Sequence, residues 1–297
     1  MERKGKLILL AFLFLGALIS GYFAAQTYAT YVLKEKFDRR LAKLPFPTAY
    51  RSFHYNLLKN DIEIEDLTVK DGGITLSVGE LLIDLPYTLR KKELPPYFKV
   101  VARDVTVPSN APFIGELLKF TGYTRPTIRL DFASSYRFEN KGLEVQVDTV
   151  AAKLGALRAS VELEGISRTL ARKVLEGRIP PKILETRGEL KELLITYKDY
   201  GLFKMFLNFV SSQEGESPEK VKEELKKTIY QAMREREEVA RRIGLPLLLF
   251  VENPSCIELT VSPRPPVRLS ELIKMASEKP DLEETLKRLN LELKTCR

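Results

Sequence analysis

Few residues in this chain have the type and spacing that chemistry requires. His54 is the only histidine. It stands in Phe53-His54-Tyr55 with no second histidine, cysteine pair or Ser/Asp companion, and an acid-base imidazole needs such a partner to orient it. His54 therefore reads as structural. Glu63, Glu65 and Asp66 offer oxygens to a hard cation, but not at EF-hand spacing, and a solvated strand face accounts for them. Asp71-Gly72-Gly73 reads as a hairpin turn. It is no phosphate cradle, because neither G-x-x-x-x-G-K-[ST] nor G-x-G-x-x-G occurs. Pro263-Arg264-Pro265-Pro266 has the composition of a polyproline ligand, and a rigid connector between strand and helix is the preferred reading. The expectation is no catalytic residue, no cofactor and no metal, hence not an enzyme.

Cys256 and Cys296 are the two cysteines, and they match no metal spacing. In an exported domain a disulfide between them is available; in a reducing compartment they are two inert thiols. If the last strand, Leu291 to Cys296, pairs antiparallel with Ser255–Val261, the two lie opposite or nearly so.

The elements that must carry these residues begin with the apolar run Leu7 to Leu33, LILLAFLFLGALISGYFAAQTYATYVL, which holds no charge. Its first nineteen positions would reach ~29 Å as a helix, about the hydrocarbon thickness of a bilayer. Arg3, Lys4 and Lys6 precede it and Thr27-Tyr28-Ala29 resembles a cleavage site, but the apolar core is longer than that of a signal peptide. The run is therefore expected to be a transmembrane anchor over 7–33, with 1–6 as a cytoplasmic tail. Lys34, Lys36, Arg39, Arg40 and Lys43 flank its other end, so charge counting does not fix the orientation. The bulk of the chain is expected on the periplasmic side of the inner membrane.

Residues 45–200 have the texture of strands. Asp61 to Val69 alternates, with a phase slip between Ile64 and Leu67. Ile74, Leu76 and Val78 alternate, and after Gly79 the phase moves to Leu81, Ile83 and Leu85. Such slips predict β-bulges that bend a sheet. Ile128, Leu130, Phe132, Tyr136 and Phe138 fall at even positions, then Leu143, Val145 and Val147 continue beyond a turn, with Leu157 to Leu163 repeating the pattern. This predicts an antiparallel meander with one apolar and one charged face. Residues 201–297 turn helical: Gly201–Val210, a long helix capped by Ser217-Pro218-Glu219 and ending at Gly244, and helices capped by Ser270 and Asp281. Closing strands fall at 255–262 and 290–296. The predicted fold is α+β: an N-terminal transmembrane helix and a bent, taco-like antiparallel sheet covered by the C-terminal helices.

With 48 Lys+Arg against 40 Asp+Glu the chain carries +8, but the two signs are interleaved. No basic block carries aromatics between its charges, which argues against nucleic acid. The excess suits a surface beside anionic lipid headgroups.

The opening of the chain, with its anchor, Asp61-Ile-Glu-Ile-Glu-Asp-Leu-Thr-Val and Ile74-Thr-Leu-Ser-Val-Gly-Glu-Leu-Leu-Ile-Asp-Leu, resembles AsmA-like bacterial envelope proteins over about residues 1–90. Leu194-Ile-Thr-Tyr-Lys-Asp-Tyr-Gly-Leu, Phe250-Val-Glu-Asn-Pro and Val261-Ser-Pro-Arg-Pro-Pro-Val are similar to uncharacterised proteobacterial envelope proteins. The first resemblance implies inner-membrane anchoring, an apolar β groove, and roles in lipid transport or outer-membrane assembly. This chain is short and helical in its second half, which fits a compact groove better than a long conduit. The groove is expected to be lined by Ile128, Leu130, Phe132, Tyr136, Phe138, Leu143, Val145 and Val147. The expected function is binding or relaying lipid, or assisting envelope assembly. The alternative is a non-catalytic scaffolding subunit that docks an envelope protein partner by its apolar face.

Overall fold

The computed structural model describes residues 2–84, 94–111, 118, 121–139, 142–234, 237–278 and 281–296, with residues 2–18 described by their backbone alone. A forty-residue helix, α1 (Glu2–Leu41), leads into β1 (Thr48–Ala49), β2 (Ser52–Asn56), β3 (Asp61–Asp71) and β4 (Ile74–Asp84). Then come β5 (Tyr97–Pro108), β6 (Thr127–Glu139), β7 (Gly142–Ala151) and β8 (Gly155–Glu164). Two short helices, α2 (Arg168–Leu175) and α3 (Lys182–Arg187), precede β9 (Glu189–Asp199). The helical stretch holds α4 (Leu202–Glu214), α5 (Pro218–Met233), α6 (Glu237–Val239), a π-helical turn (Ala240–Gly244) and α7 (Leu245–Glu252). The chain closes with β10 (Cys256–Val261), β11 (Val267–Arg268), α8 (Leu269–Ser277), α9 (Leu282–Leu289) and β12 (Leu291–Thr295).

All strands join one antiparallel sheet in the order β1-β3-β4-β5-β6-β7-β8-β9-β10-β12, with β2 on β3 and β11 on β9. The phase slips read from the sequence have a structural cause. Asp66 and Gly79 fall between the pairs Glu65↔Glu80 and Leu67↔Val78, so both strands change face together. The change is absorbed in β5, where Ala102 and Val105 face Phe132 and Leu130 and one extra residue is looped into the ladder. Asp66 and Asp104 take positive φ, 52° and 50°, and the Asp131 carboxylate accepts the Asp104 amide at 2.9 Å. That hydrogen bond satisfies a backbone group the bulge would strand.

The expectation of a transmembrane helix is overturned. Among the described residues no helix is long and apolar enough to cross a membrane. From Gln26 onward α1 interacts with the sheet. The Gln26 amide donates to the Tyr55 carbonyl and accepts the Leu57 amide at 2.8 Å, while Thr30 donates to the same carbonyl at 3.3 Å. Ala29, Leu33 and Phe37 pack on Phe53, Tyr55, Ile62 and the fully buried Ile64. Thus polar side chains interrupt the second half of the expected span, and Ala29 and Leu33 within it pack on β2 and β3.

The expected cover is also narrower than predicted. The C-terminal helices pack chiefly at the margins of the sheet: α7 and the π turn on β12, α9 on β12, and α8 on β11. Leu202 and Met205 of α4 pack with Leu118, Ile128 and Leu154 at one end of β6. The helix expected to run to Gly244 ends at Met233, after Ser217 has capped it through the Lys220 amide at 3.2 Å. The helix expected from a Ser270 cap starts two residues earlier, with Arg268 at the N-cap and no side-chain cap bond.

Candidate functional site

Register places an apolar surface across most of the sheet. One row runs Ile83, Val100, Ser134, Val147, Ala159, Ile195, Leu259 and Leu293, each opposite the next on the neighbouring strand. Beside it runs Phe98, Tyr136, Val145, Val161, Leu193, Val261 and Leu291. On the opposite face of β6 and β7 stand Arg129, Asp131, Arg137, Glu144, Gln146 and Asp148. This is the alternation a half-covered antiparallel sheet requires.

The two rows differ from the core in burial. Val78, Ala102, Val105 and Val107 form a buried cluster under the β4–β5 end of the face, at 6–7% exposure. From Val145 and Val147 across to Leu193 and Ile195 every apolar side chain is only half-buried, and none belongs to a buried cluster among the described residues. Each such side chain leaves apolar area in water at roughly 25 cal/mol per Å², so a ligand or partner that covers the strip gains that free energy.

All eight residues expected to line a groove lie on this one face, but in two environments. Ile128 is 4% exposed beneath Leu202 and Met205, so it is core, and Leu130 and Phe132 pack on the buried cluster. Tyr136, Phe138, Leu143, Val145 and Val147 stand on the open strip. Phe98 stacks on Tyr136 at 5.9 Å and Tyr136 meets Phe138 edge-on at 5.6 Å, a continuous aromatic floor. Burial pushes the Tyr136 phenol above its ordinary pKa, so it stays neutral there. Phe98, Val161, Leu193 and Ile195 belong to the same surface and were not among the eight, since strand pairing brings them together.

The C-terminal side of the strip is held by a small polar assembly. The Asp199 carboxylate accepts the Tyr197 hydroxyl at 2.7 Å and the amides of Gly201 and Phe203 at 3.0 and 2.9 Å. It thereby caps α4 and fixes that helix to β9. Burial and the Asp199 carboxylate both push the Tyr197 phenol far up. Tyr197 also meets Phe250 of α7 at 6.2 Å, and Phe250 meets Phe203 at 5.6 Å.

The other sequence candidates lie apart from this face. His54 is exposed on β2 opposite Glu63. Glu65 and Asp66 are engaged by Arg51 at 3.2 and 2.6 Å, which gives these acids a structural partner. Pro263–Pro266 connects β10 to β11, with a cis bond between Arg264 and Pro265. Glu214, Glu216 and Glu224 bring carboxylates within 4.8 Å of one another, and Lys220 pairs with Glu216. Cys256 and Cys296 are joined in a disulfide with a Cα–Cα separation of 5.1 Å, tying the end of β12 to the start of β10.

A family model described as an uncharacterized protein matches residues 148–295, from β7 through β12. No curated protein matches the chain.

Proposed function

We propose that this protein binds lipid, and relays it or assists envelope assembly, through the open strip of its sheet at a bacterial inner-membrane surface. The observation that carries the reading is the pair of apolar rows, half-buried across β6 to β9. They are too extended for scattered surface residues, and acyl chains are a ligand that needs no polar recognition. The resemblance of residues 1–90 to AsmA-like proteins supports the same reading. The Cys256–Cys296 disulfide supports an oxidising compartment, such as the periplasm.

The test is lipid extraction from the natively purified protein followed by mass spectrometry. Acyl lipid is expected in the wild type. It is expected to be lost from a Val145→Glu, Val161→Glu variant, which places two charges opposite each other on the strip, while far-UV circular dichroism stays unchanged. Equal lipid in both proteins, or none in the wild type, overturns the proposal. A protein partner at fixed stoichiometry in its place gives the scaffolding reading.

A further inference from the structure

Within the two apolar rows of the sheet, two side chains are polar. Ser134 stands in the first row between Val100 and Val147, and Tyr136 stands in the second between Phe98 and Val145. Both are half-buried, and among the described residues neither hydroxyl has a hydrogen-bond partner. Tyr197, on the same face, is the contrast. Its hydroxyl donates to Asp199 at 2.7 Å and reaches the Leu154 carbonyl at 3.3 Å, as a tyrosine in apolar surroundings ordinarily does. Tyr136 has the rings of Phe98 and Phe138 as neighbours instead. Its phenol is displaced upward by burial, with no charge or hydrogen bond contributing.

The placement of the two hydroxyls is selective. They are two residues apart on β6, so their Cα atoms stand roughly 7 Å apart along the strand. Each one heads a run of apolar side chains: Val147, Ala159 and Ile195 after Ser134, and Val145, Val161 and Leu193 after Tyr136. From β6 to β9 a row crosses three strand spacings, about 14 Å. One leaflet of bilayer hydrocarbon, half of the full thickness, is about 15 Å deep, so an acyl chain has the length to lie along such a row. Two parallel apolar tracks, each beginning at a hydroxyl, match two acyl chains, each beginning at an ester carbonyl. A carbonyl oxygen accepts hydrogen bonds and donates none, which is the partner these hydroxyl protons lack.

We propose that the ligand of the strip is a diacyl lipid with ester-linked chains, its two carbonyl oxygens accepting hydrogen bonds from Ser134 and Tyr136 while its chains follow the two rows toward β9. The inference rests on the lipid-binding reading above and adds orientation and selectivity to it. The glycerol backbone lies over β6, and the headgroup projects from the open face. A ligand with no carbonyl at that place covers both hydroxyls and leaves them unpaired, which discriminates against it.

The experiment is an exchange competition. The full chain is incubated with vesicles holding equal amounts of dipalmitoyl phosphatidylglycerol and its dihexadecyl diether analogue, which has the same headgroup and chain length but no carbonyl. The protein is then re-isolated, and its lipid is extracted and counted by mass spectrometry. At about fivefold per hydrogen bond, the wild type is expected to hold the diester over the diether by roughly 25-fold. A Ser134→Ala, Tyr136→Phe variant removes two oxygens and keeps the apolar shape. It is expected to hold both lipids equally and to melt at the wild-type temperature, and each single variant should keep a preference of about fivefold. Equal uptake of diester and diether by the wild type, or a preference that survives in the double variant, overturns the inference and leaves the lipid-binding reading intact. Uptake of neither lipid overturns both.

Discussion

At the scale of single residues, the side chains that matter most hold secondary elements against the sheet. Asp199 serves three donors at once, so Asp199→Ala leaves two amides short of an acceptor and shifts the half-buried Tyr197 phenol onto its longer bond to the Leu154 carbonyl, at 3.3 Å. A loss of roughly 1–3 kcal/mol is expected, read as a lower midpoint in urea. Gly155 is a second such position, for a steric reason. A Cβ there would stand 2.6 Å from the Lys198 carbonyl oxygen and 2.7 Å from the Tyr197 ring. Gly155→Ala should cost about 1–3 kcal/mol and loosen the β8–β9 pairing, visible as faster amide exchange in β9.

The junction of Asp38 and Tyr50 sets a pH window. The Tyr50 hydroxyl donates to Asp38, and this bond, with Lys34 beside it, holds the Asp38 carboxyl below its ordinary pKa. A depressed carboxylate stabilises the fold above its unfolded pKa, and that contribution fades as pH falls through the folded value. Tyr50 is displaced upward, by burial first and by Asp38 second. A raised phenol stabilises below its unfolded pKa, and its contribution fades as pH rises through the folded value. The docking of α1 on β2 should therefore be firm between about pH 4 and about pH 10. Comparing Asp38→Asn with wild type across pH tests this: the difference in melting temperature should be present at neutrality and begin to shrink as pH falls below about 4.

At the scale of elements, the disulfide adds a covalent tie to a last strand that pairs with β10 and packs on α7, the π turn and α9. It closes a separation of forty residues, for which chain-entropy arguments give about 4 kcal/mol. A Cys256→Ser, Cys296→Ser variant should lose roughly 2–4 kcal/mol, with β12 exchanging its amides first, since among the described residues β10 is its only strand neighbour. Much at this scale was legible in the sequence. The turn at Gly72-Gly73, the slips at Asp66 and Gly79, the caps Ser217 and Asp281, and the facing cysteines all follow local rules of φ, alternation and capping. The short helix Lys182–Arg187 was not legible, because Pro181 stands at its N-cap without a side-chain cap bond. The break after Met233 went unread because Ala240 and Ile243 continue a plausible helical stripe.

At the scale of the molecule, the failure over α1 has a single origin. Hydropathy along residues 7–33 weighs each side chain alone, whereas Gln26, Thr30 and Phe37 acquire their roles only once β2 and β3 lie beside them. The same holds for the open strip. Alternation assigns residues to a face, but only register shows that Tyr136, Val145, Val161 and Leu193 form one row, and only packing separates Ile128 from that row. The eight residues named from the sequence share one face of the sheet but divide between core and open strip.

The order of strands in the sheet has a consequence for how the chain is built. From β3 to β10 each strand pairs with the strand before it in sequence, and from β2 to β8 the ladders are hairpins or short returns, whereas β9 and β10 pair across the helices α4 to α7. Local closure of this kind is fast, because little chain must be looped to form each pair. The sheet can grow by one strand at a time from its N-terminal side, in the direction in which a polypeptide is synthesised or threaded through a pore. During that growth the newest strand always presents a bare edge. The exposed edge passes from β9 to β10 and then to β12, where the Cys256–Cys296 bond forms at the final strand and locks the finished order.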